Sequence, residues 1–194
     1  MKILLIAATS DEIIKEYFSN SEILILGVGM VNTTYELTKR LTANSYDLVI
    51  NMGIAGCFNS AIKIGDVVEV IEDNFSELGF ENGVEFKQFS DLQIKTNYSV
   101  KGKTSLQKVK GITVNTVHGN EVSITEIINR LNPDVESMEG AAVFKVCKVF
   151  AVSCVQIRAI SNKVEKRNKA NWNMPLAIQN LNATVAQIIT ELCN

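Results

Sequence analysis

The sequence predicts an α/β fold with a largely parallel or mixed central sheet, and two observations predict it. Short apolar runs recur along the chain, most of them continuous rather than alternating, which is the pattern of strands covered on both faces. Between several of these runs lie stretches with apolar residues at helical spacing, and strands alternating with helices build an α/β sheet. The 194 residues contain no repeat, no low-complexity tract and no Pro/Gly/Ser linker. One domain over 1–194 is therefore expected, with a core large enough to need no disulfide staples.

The elements follow in order. Lys2–Ala8, Glu22–Val28, Asp47–Met52, Asp66–Ile71, Gly111–Val117 and Val152–Ala159 are the candidate strands. A helix is expected over Asn32 to Ala43. A second starts near Met138, with Ala141, Ala142, Val146 and Val149 on its buried side. The last helix has the clearest stripe: Ile178, Leu181, Val185, Ile188 and Leu192, preceded by Asn173 as cap and Pro175 in the first turn. Ser76 to Lys110 is more polar and is expected to hold loops, a hairpin and a flap.

Charge and composition narrow the function. Lys plus Arg is 19 and Asp plus Glu is 21, for a net charge of −2 with no basic block, so no nucleic-acid partner held through phosphate neutralisation is expected. Apolar runs such as Ile3–Ala8 and Ile23–Val28 fall far short of the ~20 residues a membrane span needs. The N-terminal run is too short for a secretory signal and reads as a first buried strand, so the cytoplasm is the expected location and no membrane partner is expected. The four cysteines form no C-x-x-C pair and His118 is the only histidine, so no metal site is expected. Cys147 and Cys154 sit in apolar stretches and read as buried, reduced thiols.

Several small constellations carry possible chemistry, each with an ordinary structural alternative. Gly27-Val28-Gly29 follows a strand but lacks the third glycine of a dinucleotide fingerprint, so a tight strand-to-helix turn accounts for it. Gly53-Ile54-Ala55-Gly56 also follows a strand. Its small residues let backbone N–H groups approach a ligand at the carboxyl edge of the sheet, and a plain turn is the alternative. Glu12 lies just past the first strand, and Glu139 opens a helix, where the dipole favours a carboxylate and capping is the commoner role. Asn162 lies just past the last strand, where a turn residue is usual.

Taken together these stretches resemble a known family. Gly53-Ile54-Ala55-Gly56 with Ile64-Gly65-Asp66-Val67-Val68, Met138-Glu139-Gly140-Ala141-Ala142 and Arg158-Ala159-Ile160-Ser161-Asn162 are similar in order and spacing to the purine nucleoside phosphorylase and nucleosidase superfamily, over essentially the whole chain. Phe75-Ser76-Glu77-Leu78-Gly79, Thr113-Val114-Asn115-Thr116-Val117, Val135 to Gly140, and the run from Ser161 to Asn168 resemble its futalosine hydrolase branch. The resemblance implies a three-layer α/β sandwich around a central mixed, twisted sheet. It also implies a homodimer or higher homo-oligomer whose contacts border the site, a small-molecule nucleoside substrate, no cofactor, and cleavage of an N-glycosidic bond through an oxocarbenium-like sugar. In the futalosine branch the reaction releases hypoxanthine on a route to menaquinone. Carried onto this chain, Glu12 deprotonates the attacking water, Glu139 grips the ribose 2′ and 3′ hydroxyls, and Met138 packs on the ribose. Ala55 and Gly56 form a backbone rim near base and water, Val117 falls where the family lines the base, and Asn162 replaces the purine-facing acid.

The chemistry explains why residue 162 matters. The bond to the base breaks with positive charge growing on the sugar and negative charge on the purine, so a base for water and an anion near the ribose are both needed. An Asp at 162, as in adenine-specific relatives, can protonate N7. An Asn cannot, but its NH₂ donates to N7 or O6 of a 6-oxopurine, so Asn162 points to hypoxanthine. Ile54 stands where adenine-specific relatives commonly have Ser, which again argues against Asp-style proton transfer. None of the four arginines, Arg40, Arg130, Arg158 and Arg167, lies in the glycine turns, so water rather than phosphate is the expected nucleophile. Arg40, late in its helix, is expected in solvent. His118 either borders the purine or is a loop residue, Trp172 reads as a packing anchor for the last helix, and Phe58 and Phe75 are candidate walls for the substrate's tail. Rival functions are a methylthioadenosine-type nucleosidase, a phosphate-dependent inosine phosphorylase and a non-catalytic nucleoside binder.

Overall fold

A computed structural model of the chain describes residues 1–89 and 94–193. Its elements in order are β1 (Ile3–Ala7), β2 (Glu22–Ile25), α1 (Met30–Ala43), β3 (Leu48–Cys57), β4 (Val67–Phe75), β5 (Gly79–Asn82), β6 (Glu85–Gln88), β7 (Asn97–Ser99), β8 (Lys108–Thr113), α2 (Glu121–Leu131), β9 (Val135–Ser137), α3 (Gly140–Val149), β10 (Ser153–Lys163) and α4 (Met174–Cys193). The α/β class and the mixed sheet are as expected: β1 pairs parallel with β2 and β3, and β3 parallel with β10, while β4 runs antiparallel to β10 and β9 antiparallel to β3.

The continuous apolar runs have the expected cause, because side chains alternate across strands covered on both sides. Leu4, Ile6 and Val49 pack with Leu37 and Leu41 of α1 and Val143, Phe144 and Cys147 of α3. Leu5, Ala7, Ile50, Met52, Val155 and Ile157 pack with Ala177, Leu181, Val185 and Ile188 of α4. Asn173 caps α4, its side-chain oxygen accepting from the Leu176 N–H at 3.1 Å.

An open three-layer sandwich does not describe the whole sheet, which is partly barrel-like. On one edge β3 pairs with β1 over Leu48–Asn51 and then with β9 at Gly56–Cys57, while β10 follows its other edge throughout. The strands β3, β10, β4, β8 and β9 thereby close a ring. Twist accumulates along long strands, and β3 and β10 are ten and eleven residues long, so their distal halves roll away from β1 and meet a different neighbour. A third apolar cluster draws on all five ring strands, with Ala55, Cys57, Val68, Val70, Val109, Val135 and Ile160.

Other expectations need correction. Gly53 to Gly56 is no turn but the second half of β3. Asn162 lies within β10, at a register shift against β3 between Ile160 and Asn162, rather than past its end. Val149 is exposed, not on the buried side of α3. Arg40 is not free in solvent: its guanidinium meets Glu22 at 2.5 Å and lies 3.4 Å from the Tyr46 hydroxyl. The helix α2 escaped sequence analysis, although Asn120 caps it by accepting from the Val122 N–H at 2.9 Å and Asn132 ends it in a left-handed conformation. In the polar stretch β5 and β6 form the expected hairpin, and residues 90–93 lie outside the described residues. Cys147 and Cys154 are buried free thiols.

Candidate active site

Glu12 is delivered by the turn after β1. The chain leaves the strand at Ala7 and tightens into one 3₁₀ turn, Ser10–Glu12. One carboxylate oxygen of Glu12 accepts from the Thr9 N–H at 3.1 Å and the other from the Ile54 N–H of β3 at 3.0 Å. From α4, the buried Asn182 donates to the Glu12 carbonyl at 2.9 Å and accepts from the Ile14 N–H at 2.8 Å, which fixes the turn against the helix. Burial pushes the Glu12 carboxyl above its ordinary range, while the Arg158 guanidinium and the two N–H donors pull it back.

Glu139 sits at the N-cap of α3 but makes no side-chain cap bond there, so the capping role does not hold. Its carboxylate reaches across to accept from the Gly29 N–H at 3.0 Å. That donor is available because Gly27 and Gly29 both adopt positive φ, 83° and 92°, a region glycine enters without strain. The Gly-Val-Gly turn is thus both the tight connection into α1 and a clamp on Glu139.

Between the two carboxylates lies Arg158 of β10, 1% exposed. Its Nη2 is 3.7 Å from Glu139 Oε2. Gly53 is its register partner on β3, and a Cβ there would overlap Arg158 Nη1 and come within 2.8 Å of Glu12 Oε1. Arg158 Nε and Nη2 have no hydrogen-bond partner among the described residues. A buried guanidinium between two carboxylates lowers the cost of holding both ionised in one place.

The second cluster lies three residues along β3, about 10 Å of strand. A Cβ on Gly56 would lie 3.3 Å from Asn162 Nδ2 and 3.4 Å from Glu136 Cγ. The Ser161 hydroxyl is 2.8 Å from Asn162 Oδ1, and Asn162 Nδ2 donates to the Lys163 carbonyl at 3.0 Å. One amide hydrogen of Asn162 is left for a ligand. Glu136 of β9 holds His118, with 2.6 Å from Oε2 to Nδ1 and 3.1 Å from Oε1 to the backbone N–H. The Phe58 ring meets the imidazole edge-on at 5.9 Å between centroids.

Both clusters open into one cavity of about 360 Å³, which brings together Glu12, Ala55, Gly56, Val117, Met138, Glu139 and Asn162. His118 and Trp172 also line it. Trp172 is therefore a wall of the cavity, with the Arg167 guanidinium 5.1 Å from its ring centroid, and not simply an anchor for α4. Phe75 lines a separate cavity beside α1. Among the described residues no cluster of three or more metal-ligating side chains occurs, and no helix is long and apolar enough to cross a membrane.

Sequence analysis missed Arg158, Glu136 and Asn182 as site-building groups. Arg158 had a signal: a cation inside the run Val155–Ile160 is buried only with a partner. Glu136 and Asn182 had none, because their partners are 18 and 168–170 residues away.

An α/β sheet carrying two buried carboxylates about one guanidinium, with both carboxylates lining a cavity the size of a small ligand, defines a class of small-molecule site. Residues 23–192 match the Phosphorylase superfamily, and the chain belongs to it. It is 25% identical over 179 residues to a futalosine hydrolase of Thermus thermophilus, covering 85% of this chain and 79% of that one. It is 28% identical over 200 residues to a 5′-methylthioadenosine/S-adenosylhomocysteine nucleosidase of Bacillus cytotoxicus, covering 93% and 86%. In fold it is similar to the futalosine hydrolase of Helicobacter pylori, with a TM-score of 0.85 over 98% of both chains at 18% identity.

Proposed function

We propose that the protein is a nucleosidase that hydrolyses the N-glycosidic bond of futalosine, giving hypoxanthine and dehypoxanthinyl futalosine. The observation that carries this reading is the separation of two clusters along β3: paired carboxylates about Arg158 beside Gly53, and a neutral amide beside Gly56. Hydrolysis of a ribosyl–purine bond needs those two environments, one for water and sugar and one for the departing base.

Glu12 takes the proton of the attacking water. Its oxygens are aimed by the Thr9 and Ile54 N–H groups, and its raised affinity for a proton suits a general base. Glu139, clamped by Gly29, accepts from the ribose 2′ and 3′ hydroxyls and offsets positive charge growing on the sugar. Met138 packs against the ribose, and Ala55, Gly56 and Val117 border the base. The Ser161 hydroxyl beside Oδ1 of Asn162 marks the opposite side of that amide as the donor, which suits O6 or N7 of a 6-oxopurine and not the 6-amino group of adenine. Among the described residues Arg40 is tied to Glu22 and Arg158 lies between the carboxylates. Neither is set to cradle a phosphate at the Gly27–Gly29 turn, which favours water as nucleophile.

We infer further that the chain works as one domain over 1–194, without a cofactor, in the cytoplasm and as a homodimer. The exposed Val31 and Tyr35 of α1, beside a cavity lined also by Phe75 and Leu78, support a second copy against that face. A mass in solution of twice 21.4 kDa tests it.

The deciding experiment is chromatography of bases released from futalosine, methylthioadenosine and inosine, each with and without phosphate. Hypoxanthine from futalosine, independent of phosphate, is the expected result. Adenine from methylthioadenosine at an equal or higher rate would favour the activity named for the Bacillus relative. Dependence on phosphate would make the protein a phosphorylase, and tight binding of futalosine without turnover would make it a binding protein.

A further inference from the structure

The base-side cluster contains a group that the assignment of Asn162 leaves unexplained. An amide donates a hydrogen bond but cannot give up a proton, so with Asn162 alone hypoxanthine must leave as an anion. His118 lines the same cavity as Asn162. Its neighbour Glu136 has its Cγ, like Asn162 Nδ2, within 3.4 Å of the position a Cβ would take on Gly56, so the two groups share one end of the cavity. Glu136 binds His118 twice, through Nδ1 and through the backbone N–H, and Phe58 packs on the ring. The imidazole is held in one orientation, with Nδ1 committed to a carboxylate that only accepts. Nδ1 therefore carries its proton, and Nε2 is the ring's free nitrogen among the described residues. The Arg167 backbone and Cβ lie beside Gly119, and its guanidinium is drawn off onto Trp172. Glu136 is thus the charged group bonded to the imidazole, while Glu12 and Glu139 stand three residues back along β3, beside Gly53.

The geometry points to His118 as the acid that protonates the departing purine, with Glu136 as its orienting partner, in the place of the acid that Asn162 does not provide. In the imidazolium form Nε2–H faces the base. As the C1′–N9 bond breaks, its electron pair stays with the purine and the Nε2 proton passes to N7. The histidine is left neutral in the Nδ1–H tautomer that Glu136 already holds. Water adds to C1′ and its proton passes to Glu12. Solvent reprotonates His118 and takes the proton from Glu12, so the balance is nucleoside plus water to free base plus sugar. A carboxylate that fixes tautomer and orientation of a histidine is a recurring arrangement in acid–base sites. The inference rests on the nucleosidase reading above.

The test compares two leaving groups. Futalosine needs a proton on its base, whereas futalosine methylated at N7 carries a cationic base that departs without one. His118→Gln is expected to lower kcat on futalosine by about 100-fold, the usual reach of a general acid, and to leave kcat on the N7-methyl substrate nearly unchanged. That second activity shows at once that the variant is folded. Glu136→Gln, which frees the ring, is expected to give the same selective loss to a smaller degree. Equal losses on both substrates, or no loss on either, would overturn the role of His118. Wild-type protein that released no base from either substrate would overturn the nucleosidase reading itself, and Glu12→Gln, expected to slow both substrates alike, separates the two failures.

Discussion

The two ends of the cavity are built on the same strand, three residues apart, and they are built differently. At Gly53 the carboxylates of Glu12 and Glu139 and the Arg158 guanidinium are buried together, aimed by N–H groups from the turn after β1, from β3 and from the Gly27–Gly29 turn. At Gly56 the groups are an amide and a histidine–carboxylate pair, held by neighbours on β9 and β10. One end concentrates charge, which suits the cationic sugar of the proposed reaction. The other offers an amide and an imidazole, donors that suit the departing base of that reaction. The difference teaches that a short strand segment with two glycines lets side chains from other elements press against its backbone at two separate points.

The largest effects are expected at the charged end. Glu12→Gln removes the base and should lower kcat by about 10²–10⁴-fold with the fold intact. Glu139→Gln should cost about 10²–10³-fold by weakening the hold on the cationic sugar. Unchanged turnover in either variant would break the comparison. Because the Glu12 carboxyl is shifted upward by burial and must be ionised to act, activity should fall on the acid side at a pH above the ordinary 4.5 of a glutamate. A pH–rate profile of kcat/KM checks this, and Glu12→Gln should lack that limb.

The two glycines give a direct contrast. Gly53→Ala drives a methyl into the fully buried Arg158 and onto Glu12, and should cut activity severely. Gly56→Ala meets the Val164 methyl at 3.0 Å and the Asn162 amide at 3.3 Å, both on half-buried side chains rather than on a fully buried ion pair, and should cost much less. Side-by-side kinetics and melting curves of the two variants measure the difference.

Behind the charged end, Asp73 ties the sheet to α3. It is fully buried and accepts from Thr113 Oγ1 at 2.7 Å and Gln156 Nε2 at 2.8 Å, while Thr113 Oγ1 accepts from the Ala141 N–H at 2.7 Å. Burial pushes its carboxyl up to about 6, from 3.8, against those hydrogen bonds and the charge of Arg158. The folded state therefore binds this proton more tightly than the unfolded one, so the group lowers stability as pH rises from about 4 to about 6, and the full cost applies above pH 6. Two pH units correspond to about 3 kcal/mol. Wild type should gain stability relative to Asp73→Asn on going from pH 7 to pH 4, and denaturant unfolding of both at the two pH values checks the sign.

The smallest effect is expected at Asn162. Asn162→Asp should shift preference from hypoxanthine toward adenine nucleosides by about tenfold, the worth of one hydrogen-bonding mismatch of ~1–2 kcal/mol. An unchanged ratio of kcat/KM for the two bases would show that residue 162 does not read the purine.

The sequence alone carried the parts that depend on local pattern. Continuous apolar runs marked strands covered on both faces, the stripe Leu181–Val185–Ile188 marked α4, and Asn173 with Pro175 marked its start. Glu139 and Asn162 stand out because short motifs surround them, Glu12 stands out by its place just past the first strand and by the family resemblance, and the cavity brings all three together. The helix α2 is also written locally, in the Asn120 cap and the spacing of Ile124, Ile127 and Leu131. The tertiary structure alone decided the rest. The closure of the ring depends on the twist of β3 and β10 and on which strand inherits the edge that β1 leaves. Glu139 looked like a helix cap and is instead clamped by Gly29, 110 residues away. Arg158 between the carboxylates, Asn182 under the Glu12 turn and Glu136 behind His118 are all partnered across the chain. A motif records what a residue does with its neighbours in sequence, whereas the field and orientation of a buried group are set by partners that only folding brings within 3 or 4 Å.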